Sequence, residues 1–424
     1  MFLKDVKQGL VWVIGLLVVL TLCFAGVASA QKTTITFWQA GGSEELIALT
    51  RRIINDFEEK YPDVTVNYQV IPWAEDPHVK YQTAILGGTM ADVFSLGDPF
   101  QHVLAAAGAL EPLNEYIPED MLNDFVPTTI DRNTIDGKLV ALPWYVSVRA
   151  LFYRSDLLAE EGIPEPTTSW TWDEFVEYTK RLTKDTDGDG KIDQYGFGTS
   201  GQYVSQYLPF LWQNDADFLD DKNEVATSTD PKAIEALQFY IDLVREHNVV
   251  PPGSTTIDLH EIQRMFANGQ VALFIDAQDT AFAFDREPLL EGKFGVGLLP
   301  HKVRHASFSG ADVVAISATS KNKEAAWLFM EHLLSPSAMA DYCLLSGFTP
   351  VRASVSEYEE FQHPLRAPFL EQAQLGSMFY YSTPSASAFT RIIRPHVQEV
   401  MEGQKTVEQA MAEIADLINE EFAR

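Results

Sequence analysis

From residue 33 onward, short runs of period-two hydrophobicity alternate with longer runs of helical period. Thr33 to Phe37 alternates apolar and polar, Gly41-Gly42 turns the chain, and Ser43 caps a helix carrying Leu46, Ile47, Ile53, Ile54 and Phe57 at helical spacing. Tyr61-Pro62-Asp63 ends that helix, and Val64 to Ile71 reads as the next strand. Pro77 to Leu86 reads as a helix stopped by Gly87-Gly88, Asp92 to Leu96 as a third strand, and Asp98-Pro99 opens a helix up to Gly108. A β-α-β-α-β order predicts a mostly parallel sheet with helices on its faces, because parallel neighbours need a crossover long enough to hold a helix.

The same punctuation recurs downstream. Thr171 to Glu174 is a capping box ahead of Phe175, Val176, Thr179 and Leu182. Asp230-Pro231 starts a helix with Ile234, Leu237, Ile241 and Val244 on one face. Ser320 and Ser335-Pro336 precede two more, and Thr406 to Gln409 caps the last, with Ala410, Met411, Ile414, Leu417 and Ile418 on its buried stripe. The fold class is therefore α/β throughout. A length of 424 residues implies two such lobes, and 46% hydrophobic residues suffice to give each a core.

The N-terminus reads as an export signal. Lys4 and Lys7 precede an apolar run from Leu10 to Phe24, and Ala28-Ser29-Ala30 supplies a small-residue cleavage site, so the mature chain is expected to start at Gln31. The run is shorter than the roughly 20 residues of a membrane span, which favours cleavage over anchoring. Lipid attachment at Cys23 is disfavoured by the preceding Leu22, where that processing wants Gly, Ala or Ser. Cys343 is then the one cysteine left, so the mature chain has no internal disulfide. An exported protein, periplasmic or at the cell surface, is expected. With 60 acidic against 31 basic side chains, nucleic acid and anionic lipid are excluded as default partners, and a monomer is expected.

Catalytic signatures are missing: no HExxH, no phosphate-binding glycine loop and no G-x-S-x-G. His301 and His305 follow Pro300 in a polar stretch and read as a loop; Cys343, in an apolar helical context, reads as packing. One motif is sharp. Asp185, Asp187, Asp189, Gly190, Lys191 and Asp193 fall on positions 1, 3, 5, 6, 7 and 9 of an EF-hand-type loop. Alternating carboxylates and the Lys191 carbonyl can supply the oxygens that hard Ca²⁺ wants, and Gly190 permits the turn. Position 12 is Gly196 where a bidentate Glu is usual, so Asp215, Asp217 or Glu224 would have to complete the shell. The loop is thus a candidate structural Ca²⁺ site, with an acidic surface turn as the alternative. No other cofactor is expected.

Aromatic residues gather at strand ends and turns, where ligands of α/β proteins bind. Trp38 and Gln39 follow the first strand, Trp73 the second and Asp98 the third; Trp144-Tyr145 follows Leu142-Pro143, and Trp212-Gln213-Asn214 precedes an acidic turn. Sugars stack their C–H faces on aromatic rings while carboxylates and amides grip their hydroxyls. A single Trp is more often core than ligand. Several beside Asp, Asn and Gln point to a carbohydrate cleft.

The chain resembles the bacterial extracellular solute-binding proteins of family 1, the carbohydrate-binding subunits of ABC importers, which include maltose-binding protein. The similar stretches are Ile35 to Gln39, Phe57 to Pro62, Ala91 to Phe94, Gly108 to Leu113, Asp136 to Lys138 with Leu142-Pro143, Phe152 to Arg154 and Trp170 to Phe175. The acidic loop, Ser320 to Trp327, Gly347 to Pro350 and the Gly403 to Ile418 tail extend the likeness along nearly the whole mature chain. It implies a two-lobed periplasmic-binding-protein fold joined by a multi-crossover hinge, with a sugar held in the interlobe cleft and delivered to a membrane permease. Crossings are expected near residues 143–150, 274–280 and 334–340. That assigns 31–145 and 278–336 to one lobe, and 146–277 and 337–424 to the other. The cleft positions carried over are Trp38, Glu44, Asp98, Tyr145, Trp212, Asp276, Ser309, Gly310 and Asp312, beside the polar candidates Gln39, Asn214 and Asp279. Where relatives often show Gly-Pro-Trp, this chain has Ala277-Gln278-Asp279, so a stacking Trp is missing. Two rivals remain: a binding protein for a phosphorylated polyol, gripped by Arg149 or Arg352, and a secreted glycoside hydrolase.

Overall fold

A computed structural model describes residues 32–73, 77–166, 170–220, 223, 225–361, 363–376, 378–383 and 385–423. The expected signal, its cleavage site, Cys23 and Glu224 lie outside the described residues.

The first lobe starts as the pattern predicts. β1 (Thr33–Ala40), α1 (Glu44–Lys60), β2 (Val64–Ile71), α2 (Pro77–Gly87), β3 (Val93–Gly97) and α3 (Phe100–Ala106) follow in order, and β1 pairs in parallel with both β2 and β3. Ser43 caps α1 by accepting the Leu46 N–H. Leu46, Ile53, Ile54 and Phe57 pack its buried stripe against Ile35 and Phe37. After α4 (Pro127–Arg132), strand β4 (Leu142–Val148) joins this sheet and β5 (Ala150–Arg154) enters a second one. The first crossing therefore sits at Arg149, inside the expected range.

The second lobe comprises α5 (Trp172–Leu182), β6 (Tyr195–Gly198), α6 (Leu208–Gln213), α7 (Pro231–Arg245), α8 (Leu259–Ala267), β7 (Val271–Asp276), α9 (Gln278–Asp285) and β8 (Phe294–Gly297). Its sheet runs β8-β5-β7-β6. The Thr171 capping box closes as expected, with the Thr171 hydroxyl on the Glu174 N–H and the Glu174 carboxylate on the Thr171 N–H. The chain then returns through β9 (Phe308–Ile316), α10 (Lys323–Leu333), α11 (Pro336–Ser346) and β10 (Thr349–Pro350). It leaves again by α12 (Ala367–Leu375), β11 (Met378–Phe379), α13 (Ala386–Met401) and α14 (Val407–Phe422). The first sheet reads β10-β4-β9-β3-β1-β2, with β11 beside β9.

Two expectations are corrected. The second crossing is not at 274–280: β8 still pairs with β5 of the second lobe, so the return falls between residues 297 and 308. The third is not at 334–340, because Met339, Tyr342 and Cys343 of α11 pack in the first lobe's core; the chain crosses between Phe361, still in that core, and Phe369 of α12, which packs with Phe152 and Phe274 of the second lobe. The boundaries at 278, 336 and 337 move accordingly. The sheets are also mixed, not mostly parallel. β9 arrives from the other lobe, so it runs against the strands that climb toward that lobe, and it pairs antiparallel with both β3 and β4. β5 is likewise antiparallel to β7 and β8.

Cys343 is wholly buried, as its context predicts. Among the described residues, no helix is long and apolar enough to cross a membrane.

Candidate functional site

The C-terminal ends of β1 and β3 form the rim of the first lobe, and one aromatic ring lies across it. Trp73, after β2, is 45% exposed and packs on the backbones of Gly41 and Gly97. Gly41 has φ +64°, and a Cβ there would overlap the indole, so the turn needs glycine twice over. The Trp73 ring stands edge-on to His78 at 5.8 Å, and His78 stacks on Phe100 at 4.1 Å. An exposed indole held this way presents a flat apolar face to solvent.

The other tryptophans behave differently. Trp38 is half-buried, stacked on Tyr81 at 6.2 Å with the Lys80 ammonium 4.9 Å from its centroid. Trp144 is buried against Tyr342. Trp212 corrects its assignment to the cleft: it has no exposed surface, stacks on Phe308 in the second lobe's core, and donates Nε1–H to Asp217 at 2.6 Å. The Asp217 carboxyl also accepts from the Tyr381 hydroxyl and the Phe218 N–H, yet burial still pushes it up to about 6.

Several polar candidates are committed to the fold. Buried Gln39 accepts from the Tyr68 hydroxyl at 2.8 Å and donates to the Gly41 carbonyl at 3.2 Å, so it holds the rim turn. Asn214 is buried and donates to the Lys232 carbonyl and to Glu235. Asp276 is buried and accepts from the Ala277 N–H, Gln263 and Thr280. Each of these contacts is made within the fold.

A second group converges where the chain first crosses. The Tyr145 hydroxyl donates to Asp312 at 2.6 Å, with its ring stacked between Phe348 and Tyr342. Burial pushes the Asp312 carboxyl up to about 6, against the Tyr145 hydrogen bond and the Arg149 charge, while Asp279 and Asp98 add to the rise. Asp279, in the first turn of α9, is solvent-exposed yet walled by protein; desolvation and then Asp276 push its carboxyl up, and Arg149 pulls it down. Asp98 is ion-paired to Arg132 and accepts from Gln101 at 2.5 Å. Gly310 is half-buried, its carbonyl 3.4 Å from the Ser147 hydroxyl, and Ser309 is buried with no partner for its Oγ among the described residues. Glu44 is exposed in the first turn of α1.

Arg149 holds the crossing itself. Its N–H donates to the Phe308 carbonyl at 2.9 Å, its carbonyl accepts from Ser307, and Nη1 donates to Ser147, but its buried Nε has no partner among the described residues. Arg352 is spent on Asp124 and the Leu334 carbonyl. The arrangement is thus Asp279 and Asp312 beside the hinge cation Arg149, Asp98 paired with Arg132, and an exposed indole on the first lobe's rim.

A family model described as bacterial extracellular solute-binding protein matches residues 40–340. The chain belongs to this family. A solute-binding protein of Thermotoga lettingae bound to α-D-tagatose is 26% identical, with a TM-score of 0.83 over 92% of this chain and 100% of that one. A maltose-bound protein of T. maritima is 27% identical, with a TM-score of 0.82 over 91% and 99%. A mannitol-binding protein of Pseudomonas aeruginosa is 26% identical over 66% of this chain and 64% of its own. Members of the family are binding proteins, and the two-lobed fold is theirs.

Away from the cleft, Asp185, Asp187 and Asp193 bring ligand atoms within 4.8 Å of one another. Asp185 accepts from the Gly188 and Gly190 N–H groups at 2.7 Å each, and that holds its carboxyl below the usual range. Asp189 stands outside this group, accepting the Lys191 N–H and lying 3.7 Å from the Lys191 ammonium. Of the proposed distal ligands, Asp215 is paired with Lys232 and Asp217 with Trp212 and Tyr381, so neither completes the shell. His301 and His305 lie 4.3 Å apart, ring to ring, in the connection before β9, and burial lowers the His305 pKa.

Proposed function

We propose that the protein is the extracytoplasmic sugar-binding subunit of an ABC importer, capturing a mono-, di- or oligosaccharide between its lobes and passing it unchanged to a membrane permease. The observation that carries this reading is the Trp73 indole laid open across the Gly41 and Gly97 backbones at the interlobe rim. Relatives that hold tagatose, maltose and mannitol support it. Neutral polyhydroxyl solutes suit a site where Asp279 and Asp312 outnumber Arg149, Asp98 being paired with Arg132; a phosphorylated polyol would meet repulsion from them. Ligand touching both lobes favours the closed hinge by its differential affinity. A thermal-shift screen of neutral sugars and polyols tests this, since a ligand of the native state raises the melting temperature. The reading fails if none of them does so, if only phosphorylated compounds do, or if a bound sugar is hydrolysed.

We also propose that the loop from Asp185 to Asp193 holds Ca²⁺ in a structural role, distant from solute capture. The three convergent carboxylates support it.

A further inference from the structure

The first turn of α9 stands where the two lobes meet. β7 ends at Asp276, which is paired in register with Ala150, the residue after the crossing at Arg149. Ala277 packs in the first lobe's core. Gln278 is buried, and its Oε1 accepts the Val148 N–H of β4 at 2.9 Å. A helix of the second lobe is thereby clamped to a strand of the first. Asp279, the next residue, lies near enough to Tyr145 and Asp312 to act on both electrostatically. Strand ends at such a junction are where α/β proteins hold their ligands.

The charges at this junction do not balance. Asp276 and Asp312 are buried and accept from neutral donors: the Ala277 N–H, Gln263 and Thr280 for the first, the Tyr145 hydroxyl for the second. Arg149 is the nearby cation, and its Nη1 goes to Ser147 at 3.2 Å. Among the described residues neither Arg149 nor Asp279 makes an ion pair. Asp279 differs from the other two carboxylates in being exposed, so it is the one a solute can touch. Three carboxylates therefore share one guanidinium, and like charges crowded in a partly desolvated place gain from a further cation. A metal ion does not fit, because among the described residues it is Asp185, Asp187 and Asp193 whose ligand atoms converge closely enough to share one. The missing positive charge belongs on the solute.

We propose that Asp279 is the specificity-determining residue of the cleft and selects an amino sugar, its exposed carboxylate pairing with the sugar's ammonium. Such selection presupposes the sugar capture proposed above and narrows its substrate class.

The test is titration calorimetry with matched pairs: D-glucosamine, D-galactosamine, D-mannosamine and 6-amino-6-deoxy-D-glucose, each beside its neutral parent, and the chitosan disaccharide beside cellobiose. At least one amine should bind at least about tenfold tighter than its parent, the gain of a charge-assisted over a neutral hydrogen bond. Asp279→Asn should abolish that difference, and Asp279→Glu, which keeps the charge, should retain most of it. Asp279→Ser stands in for the Asn variant should that one not fold. Cyclohexylamine, an ammonium without hydroxyls, should show no saturable binding. Equal affinity within every pair, or a preference that survives in Asp279→Asn, overturns the proposal and leaves sugar capture intact. So does a thermal shift with other neutral sugars when no amine binds. Cyclohexylamine bound as tightly as the amino sugar also overturns it, since charge alone would then account for the gain. If no sugar of either kind binds, the reading of the cleft as a sugar site falls as well.

Discussion

Replacing Trp212 by Ala separates the two roles a tryptophan has in this molecule. The indole is wholly buried, stacked on Phe308, and hydrogen-bonded to Asp217. Removing such a side chain from a core costs about 3–5 kcal/mol. The carboxylate it served then loses a donor at a buried position, adding about 1–3 kcal/mol. Against a native stability of about 5–15 kcal/mol, a total of about 4–8 kcal/mol leaves the second lobe marginal or unfolded. Trp212→Phe keeps a ring against Phe308 and loses chiefly the hydrogen bond, so it should fall near the lower end. Trp73→Ala is the counterpart. Its ring is nearly half exposed and lies over glycine backbone, so stability should change by less than about 1 kcal/mol, while sugar affinity falls by about 1–3 kcal/mol through the lost stacking face. Urea unfolding followed by circular dichroism measures the first quantity, and titration with the sugar found by thermal shift measures the second. A Trp212→Ala protein with an unchanged unfolding midpoint and weakened sugar binding would refute the core assignment. Unchanged binding in Trp73→Ala would remove the platform.

Three further outcomes are expected. Gly41→Ala must enter a left-handed conformation, at a cost of about 1–2 kcal/mol, and must displace the Trp73 ring; both a lower urea midpoint and weaker sugar binding should follow, and loss of neither would refute the rim geometry. Asp312 has its folded-state pKa raised to about 6 by burial, so the native state holds a proton that the unfolded chain releases earlier; this part of the stability is present below about pH 4 and is lost as pH rises to about 6. Asp312→Asn should therefore lose less stability than wild type over that window, and parallel pH profiles would contradict the assignment. Chelation should lower the melting temperature through the Asp185 to Asp193 loop, and Asp187→Ala should abolish that sensitivity; a calcium titration without effect would leave an ordinary acidic turn.

Local chemistry was written in the sequence because its causes are local. Ser43, Thr171, Asp230, Ser335 and Thr406 all cap the helices they were expected to cap, since a cap needs only its own side chain and the next three residues. The early strand–helix order and the burial of Cys343 followed from hydrophobic period. The resemblance, carried by many short stretches, agreed with the family match. Tertiary structure alone decided the rest. No local pattern marks which sheet a strand will join, so the crossings near residues 298–307 and 362–368 were misplaced, and with them the sheet direction that a strand arriving from the other lobe imposes. Trp73 and Trp212 carry the same side chain, and both stood among the strand-end and turn aromatics. What made one a platform and the other core was distant: Gly41 and Gly97 leave room for a ring to lie open on their backbones, whereas Phe308 and Asp217 close over the other. Burial depends on what the rest of the chain brings to a residue, and a side chain's identity does not contain it.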